Sequence, residues 1–265
     1  SYLQQEGVPS LDYVVASHYD SDHLNGIVGA LNALPVSNVW GPNYTTDTRV
    51  FESFNSVVSQ KGLSRVQPAI GSQIQLGDAT IQVLAPSGTD YSDVNNYSIA
   101  VRVQDGNTSF LITGDAEAES EAQMIASGLT LDSDVYVMGH HGSGTSTSWD
   151  LLQAATPEYA VLSCGAGNSY GHPHVESMEK LQAMEIQLLR TDKQGNIVAS
   201  TDGTTITWNV NPCNDYTPGD PNDTPPQPSA SGQEAAAIVY WTPGGKSYHN
   251  SRNCSTLSRS KTINE

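Results

Sequence analysis

Leu11-Asp12-Tyr13-Val14-Val15-Ala16, then His18-Tyr19-Asp20-Ser21-Asp22-His23, then Leu24-Asn25-Gly26-Ile27-Val28-Gly29-Ala30-Leu31 is the stretch whose reading decides the fold. The first part is the short apolar run of a buried strand, and the last has an apolar face at helical spacing, predicting a helix over 24–34. Between them four potential metal ligands, His18, Asp20, Asp22 and His23, fall within six residues. A strand-to-helix loop at the carboxyl end of a strand is where open α/β sheets place their sites. Packing gives no use for imidazoles and carboxylates at this density, so the hexapeptide is read as a metal site.

Working outward, apolar runs rich in Val, Ile and Leu recur at Ile81–Ala85, Ser98–Val103, Ser109–Thr113, Asp134–Met138 and Glu158–Ser163. Helical stretches are predicted between them at about 48–60, 116–127, 147–155 and 175–184. Asp105-Gly106-Asn107 and Asp202-Gly203 mark hairpins, the second joining Asn196–Ser200 to Thr204–Val210. The result is a layered α/β body whose sheets include antiparallel pairs. Residues 1–211 form that domain. The Pro-, Asp- and Ser-rich segment 212–236 reads as an extended linker, and 237–265 as the start of a small C-terminal module too short to hold a core alone.

Charge narrows the function. The chain has 11 Lys plus Arg against 28 Asp plus Glu, and residues 1–211 hold 7 of the basic and 23 of the acidic groups. A protein that holds duplex DNA by footprint alone needs a positive face, and this one repels polyanions unless bound metal offsets the field. No apolar run approaches the ~20 residues of a membrane span. The three cysteines, Cys164, Cys213 and Cys254, form neither a CxxC pair nor a disulfide framework. Few lysines and many Ser, Thr, Asn and Tyr fit an extracellular or cell-surface bacterial protein.

Six of the seven histidines lie in three clusters, each after a strand-like run: His18/His23, His140-His141, and His172 with His174. Asp115, in Thr113-Gly114-Asp115, sits between the first two. Each later cluster also has a structural use: Asp115 as a helix N-cap, His140-His141 as one core and one surface histidine, and Gly171-His172-Pro173-His174 as a turn. Together they suit zinc, manganese or iron, and ligands spread over several loops permit two adjacent ions.

His18-x-Asp20-x-Asp22-His23, Asn95-Asn96-Tyr97-Ser98, Thr113-Gly114-Asp115, Gly139-His140-His141-Gly142-Ser143 and Gly171-His172-Pro173-His174 follow one another in an order that resembles the metallo-β-lactamase superfamily. Within it the pattern is most similar to the ComEC-type competence-protein branch and its secreted relatives, over about residues 8–210. The resemblance implies an αββα sandwich with the site at one rim of two packed sheets. It implies His18 and Asp20 on one divalent ion, Asp22, His23 and His141 on a second, and Asp115 bridging. His140 would sit beside the substrate and His172 would contact the scissile phosphate or act as general acid, so Asp22, His140 and His172 are expected at the reacting centre. His174 would support the site from outside, and Asn96 and Ser98 would orient ligands or touch substrate.

The chain departs from the superfamily pattern at two places. Asp20 stands where histidine is more common, and no histidine lies between His23 and His140. This nitrogen-poor set favours manganese or magnesium over zinc, and points from a β-lactam towards a phosphodiester. Family members also carry strands ahead of residue 1, so the first sheet is expected without its N-terminal strands. The function expected is metal-dependent hydrolysis of phosphodiester bonds by a metal-held hydroxide, with nucleic acid, single-stranded or duplex DNA, as substrate and partner. The alternatives are a phosphodiesterase or phosphorylcholine-type esterase on cell-wall or small-molecule substrates, or a catalytically idle binding domain. Val239-Tyr240-Trp241 and the basic Lys246, Arg252, Arg259 and Lys261 resemble a C-terminal module of secreted bacterial proteins, with a solvated surface as the plainer role.

Overall fold

The computed structural model describes residues 2–223; the expected C-terminal module at 237–265 and the later part of the linker lie outside the described residues. After a short helix α1 (Tyr2–Gln5), β1 (Leu11–Val15), α2 (Ser21–Ala33), β2 (Val36–Trp40), α3 (Arg49–Gln60) and β3 (Arg65–Val66) alternate, and the strands form a parallel three-stranded sheet in the order β1-β2-β3. Four antiparallel strands follow: β4 (Gln73–Leu76), β5 (Ala79–Ala85), β6 (Ala100–Asp105) and β7 (Thr108–Ile112). The sheet then continues in parallel through β8 (Val135–Val137), β9 (Tyr159–Leu162) and β10 (Gln187–Arg190), in the order β10-β9-β8-β7-β6-β5-β4. The crossovers are α4 (Ala118–Ala126), α5 (Trp149–Ala155) and α6 (Val175–Ala183); α7 (Thr191–Gln194) and a hairpin of β11 (Ala199–Thr201) and β12 (Ile206–Trp208) follow.

Alternation along the strands produces the layers, because successive side chains point to opposite faces. In β1 and β2, Val39 and the adjoining Ala16 join Leu24, Leu31, Phe51, Phe54 and Val58 in a cluster beneath α2 and α3. Tyr13, Val15 and Trp40 face the other way and meet Val83, Ile99 and Val101 of the large sheet, so this cluster is the seam between the sheets. The largest cluster, including Leu111, Tyr136, Leu151, Leu162, Met178 and Leu188, packs the far face of the large sheet against α4, α5 and α6. Helices, small sheet, large sheet and helices thus form the expected αββα sandwich. The small sheet has three strands among the described residues.

Three details differ from the sequence-based expectation. The helix expected over 24–34 begins at Ser21, because the Asp20 carbonyl already accepts from the His23 and Leu24 amides at 3.2 and 2.9 Å. Asp22 and His23 therefore stand on its first turn rather than on a loop. The second is that β2, β3, β4 and β10, which were not anticipated, complete the sheets. The third concerns residues 212–223, read as linker. The amides of Cys213 and Asn214 donate to the Leu188 carbonyl at 2.9 and 3.1 Å, and the Gly219 amide to that of Pro173 at 2.8 Å. The Asp223 carboxylate accepts from the Val175 amide at 2.9 Å. This strap runs beside β10 to the start of α6.

Candidate metal centre

The alternation within the opening hexapeptide follows from one anchor. Tyr19 is buried, donates its hydroxyl to the Pro42 carbonyl at 2.6 Å, and packs its ring on Tyr44 and Phe51. With Tyr19 held in the helical layer, His18 and Asp20 on either side are directed to the rim. Asp20 occupies the N-cap of α2 yet makes no side-chain capping bond, although aspartate is among the best capping residues. Its carboxylate lines the cavity instead.

Asp115 is the hub. It follows β7 and is buried, reached by a turn in which Gly114 has φ +57°; a Cβ there would lie 2.7 Å from that of Ser17. Four imidazoles point Nε2 at its carboxylate: His23 at 3.1 Å, His141 at 3.6 Å, and His18 and His140 at 3.8 Å each. Asp115 does not serve as the cap of α4; that position is Glu117, and the Asn96 side-chain oxygen accepts from the Glu117 and Ser120 amides. Asn96, expected to orient ligands or touch substrate, caps a helix. Ser98 supports the site: its hydroxyl accepts from the Asp115 amide at 3.1 Å and lies 3.4 Å from His18 Nδ1.

Each of these imidazoles has a partner on its other nitrogen, the arrangement that fixes tautomer and ring orientation in metal-binding histidines. His141 Nδ1 donates to the Ser163 carbonyl at 2.7 Å; a carbonyl only accepts, so Nε2 keeps its lone pair. His140 Nδ1 faces Glu117 Oε1 at 3.3 Å and the Thr145 hydroxyl at 3.2 Å. His18 and His23 turn Nδ1 to the Ser17 hydroxyl at 3.2 and 3.3 Å. The turn carrying His140 and His141 holds both in the left-handed region, at φ 48° and 54°. Such conformations cost on the order of 1–3 kcal/mol each and persist where surroundings impose them.

The donor set fits a cation. His18, His23 and Asp115 bring ligand atoms within 4.8 Å of one another, as do Asp22, His23 and His141. Asp22 Oδ2 lies 3.0 Å from His141 Nε2, and Asp20 Oδ2 lies 4.0 Å from His18 Nε2. The Nε2 atoms of His23 and His141 are 3.0 Å apart, a spacing at which two lone pairs repel unless a proton or a cation lies between. His18 is fully buried, and its Nε2 has no hydrogen-bond partner among the described residues. An unsatisfied buried nitrogen costs about 1–3 kcal/mol, which coordination would remove.

The electrostatics agree. Burial, then the charge of His23, pulls His18 down to about 4. Burial also acts to lower His23, but the Asp115 hydrogen bond and the charges of Asp115, Asp22 and Asp20 outweigh it and raise it. For Asp115 burial acts upward, and the hydrogen bond and charge of His23, with those of His18 and His141, bring it down overall. Burial and the charges of Asp22 and Asp115 raise Asp20. Carboxylates crowded until one resists ionising are a setting that a divalent cation relieves.

Asp20, Asp22, Asp115, His140 and His141 form one wall of a cavity of about 340 Å³. Ser163, Cys164, Gly165, Asn168, Tyr170 and His172, from the loop after β9, form the other. His172 is buried, 5.6 Å ring to ring from His140, and is lowered to about 4 by burial and then by His174, His140 and His141. His174 lies behind it, accepting from the Gly144 amide at 3.0 Å and facing the Tyr170 carbonyl at 3.1 Å, so it ties two loops together. The structure thus brings together every residue expected as ligand or at the reacting centre. Glu117, Ser163, Asn168 and Tyr170 were missed. Glu117 reads in sequence as an ordinary acidic residue at a helix start, and the others as loop.

The metallo-beta-lactamase superfamily model matches residues 1–166. The chain belongs to that superfamily. Its members bind divalent metals, and the His and Asp groups above are candidate ligands in this one. Competence protein ComA of Neisseria gonorrhoeae is 34% identical over 194 residues, 73% of this chain and 26% of that protein. ComE operon protein 3 of Bacillus subtilis is 30% identical over 196 residues, 74% of this chain and 25% of that protein. Recombination protein 2 of Haemophilus influenzae is 34% identical over 199 residues, 74% of this chain and 23% of that protein. This superfamily member therefore spans about a quarter of the length of these curated relatives. No helix among its described residues is long and apolar enough to cross a membrane.

Proposed function

We propose that this metallo-beta-lactamase superfamily member is a divalent-metal-dependent phosphodiesterase that cuts DNA at the bacterial cell surface or outside the cell. The observation that carries the reading is the convergence of four Nε2 atoms on buried Asp115, with the His18 nitrogen unsatisfied, at the wall of an open cavity. His18 and Asp20 would hold one ion and Asp22, His23 and His141 a second, with Asp115 available to both. When bound, one or two divalent ions would lower the pKa of a water and offset the charge of a phosphate. Mixed imidazole and carboxylate donors suit manganese or zinc, with magnesium also accommodated. The competence proteins and the recombination protein among the relatives support nucleic acid as the polymer.

The other side chains then have separable tasks. His140, oriented through Nδ1 by Glu117 and Thr145, presents Nε2 to the reacting centre as a proton carrier. His172, lowered to about 4, is neutral at pH 7. A neutral imidazole can donate one hydrogen bond to a phosphate oxygen, and that suits it to hold the scissile group rather than to arrive already protonated. Crowded carboxylates exclude anions from the cavity until cations are present.

The formal net charge of −17 favours a second reading, a small phosphodiester rather than a polymer. The test compares bis-p-nitrophenyl phosphate with end-labelled oligonucleotides in the presence of Mn²⁺. Cleavage of both, abolished in His23→Ala with the fold intact, is expected. Hydrolysis of the small diester alone would exclude DNA as substrate, and cleavage of neither would exclude the phosphodiesterase.

A further inference from the structure

The geometry points to Tyr170 as a stacking platform for a nucleobase next to the scissile phosphate, which makes an unpaired strand the substrate; this rests on the phosphodiesterase reading. Tyr170 lies in the cavity wall and is 77% exposed, the most open large hydrophobic side chain among the described residues. Its ring is nearly parallel to that of His172, 5.6 Å between centroids and 23° between planes. One face is backed by the imidazole proposed to hold the phosphate, and the rest of the ring is left to solvent.

The backbone beneath it is fixed. Asn168 Oδ1 accepts from the amides of Tyr170 and His172 at 3.1 and 3.0 Å, and its Nδ2 donates to the carbonyls of Gly165 and His172 at 2.9 and 2.7 Å. His174 Nε2 meets the Tyr170 carbonyl. An aromatic ring held open at the mouth of a cavity has no packing use. Stacking on such a ring is how sequence-tolerant proteins hold single strands, because every base has a π-face. A base within a duplex is already stacked on its neighbours and would have to leave them. The acidic field acts in the same direction: the chain has no excess positive charge for a duplex backbone, so affinity comes from the phosphate site and the base beside it.

Binding of thymidine 5′-monophosphate and of 2-deoxyribose 5-phosphate to the Mn²⁺-loaded protein, measured by calorimetry, separates the terms. The ratio of the two affinities is independent of the folded fraction. The wild type should prefer the nucleotide by roughly tenfold, within the ~5- to ~150-fold that stacking one base supplies. Tyr170→Ala should bring the ratio close to one, and Tyr170→Phe should keep it. A ratio near one in the wild type, or one unchanged in Tyr170→Ala, would overturn the platform while leaving the phosphate site standing. Binding of neither probe would overturn both.

Discussion

Glu117 coordinates nothing in the proposed site, yet His140 depends on it. Its Oε1 faces His140 Nδ1 at 3.3 Å and accepts from the Thr145 hydroxyl at 2.9 Å. Outer partners of this kind typically change affinity or activity by about 10–100-fold, so Glu117→Gln should lower kcat on a phosphodiester by that factor with the thermal midpoint nearly unchanged. A kcat equal to wild type would remove Glu117 from the site. His18 makes a second prediction. Its folded pKa, about 4, lies below the ordinary histidine value of 6.5. Between these values the unfolded chain binds the extra proton, so the stability due to neutral, buried His18 is intact above about pH 6.5 and is lost as pH falls towards 4. The loss is roughly 3 kcal/mol in chelated protein. His23, raised in the fold, acts in the opposite sense: its contribution is present at low pH and is lost as pH rises through its folded value. Urea unfolding of chelated wild type and His18→Asn at pH 7.5 and 4.5 isolates the first effect; parallel losses in the two proteins would contradict it. The candidate ligands stood out in the sequence because imidazoles and carboxylates cluster there after strands. Glu117 was not, because its contact with His140 depends on a left-handed turn that residue types alone do not reveal.

At the scale of elements, the strap at 212–223 rests on one buried group. Arg190, at the end of β10, donates Nε and Nη2 to the Asp192 carboxylate at 3.0 and 2.8 Å, and Nη1 to the carbonyls of Asp215 and Thr217 at 2.8 and 2.6 Å. Removing one partner of a buried ion pair leaves an uncompensated charge and costs about 3–5 kcal/mol. Asp192→Ala should therefore lower unfolding free energy by about 3 kcal/mol in denaturant titration; a change below ~1 kcal/mol would show that the strap carries the guanidinium alone. Composition made this segment look like a tether, since Pro, Asp and Gly seldom form regular structure. Its order comes from contacts with Leu188, Arg190, Pro173 and Val175 that are distant in sequence. The unanticipated strands have a related cause. In β2, Ser37 and Asn38 are exposed and break the apolar run, and β10 ends in an arginine whose charge is neutralised only in the fold.

For the whole molecule, the two sheets meet so that the carboxyl ends of β1, β7, β8 and β9 share one rim, and each contributes a piece of the site. That arrangement was legible because every histidine cluster followed a strand-like run, which allows few ways to bring the clusters together. The order of the sheets was carried by the resemblance and by long-range pairing, such as Val137 with Val161 and Ile112 with Val137, which no local pattern encodes. Three carboxylates, Asp20, Asp22 and Asp115, line the cavity, and bound cations would reconcile them with the anionic substrate proposed above. The most direct test of this account is the number of metal equivalents retained per chain after exposure to Mn²⁺ or Zn²⁺ and gel filtration, measured by elemental analysis on wild type and Asp115→Ala. The prediction is one to two equivalents in the wild type and close to none in a folded Asp115→Ala. A folded wild type that retains none, or a variant that retains as much as wild type, would contradict it.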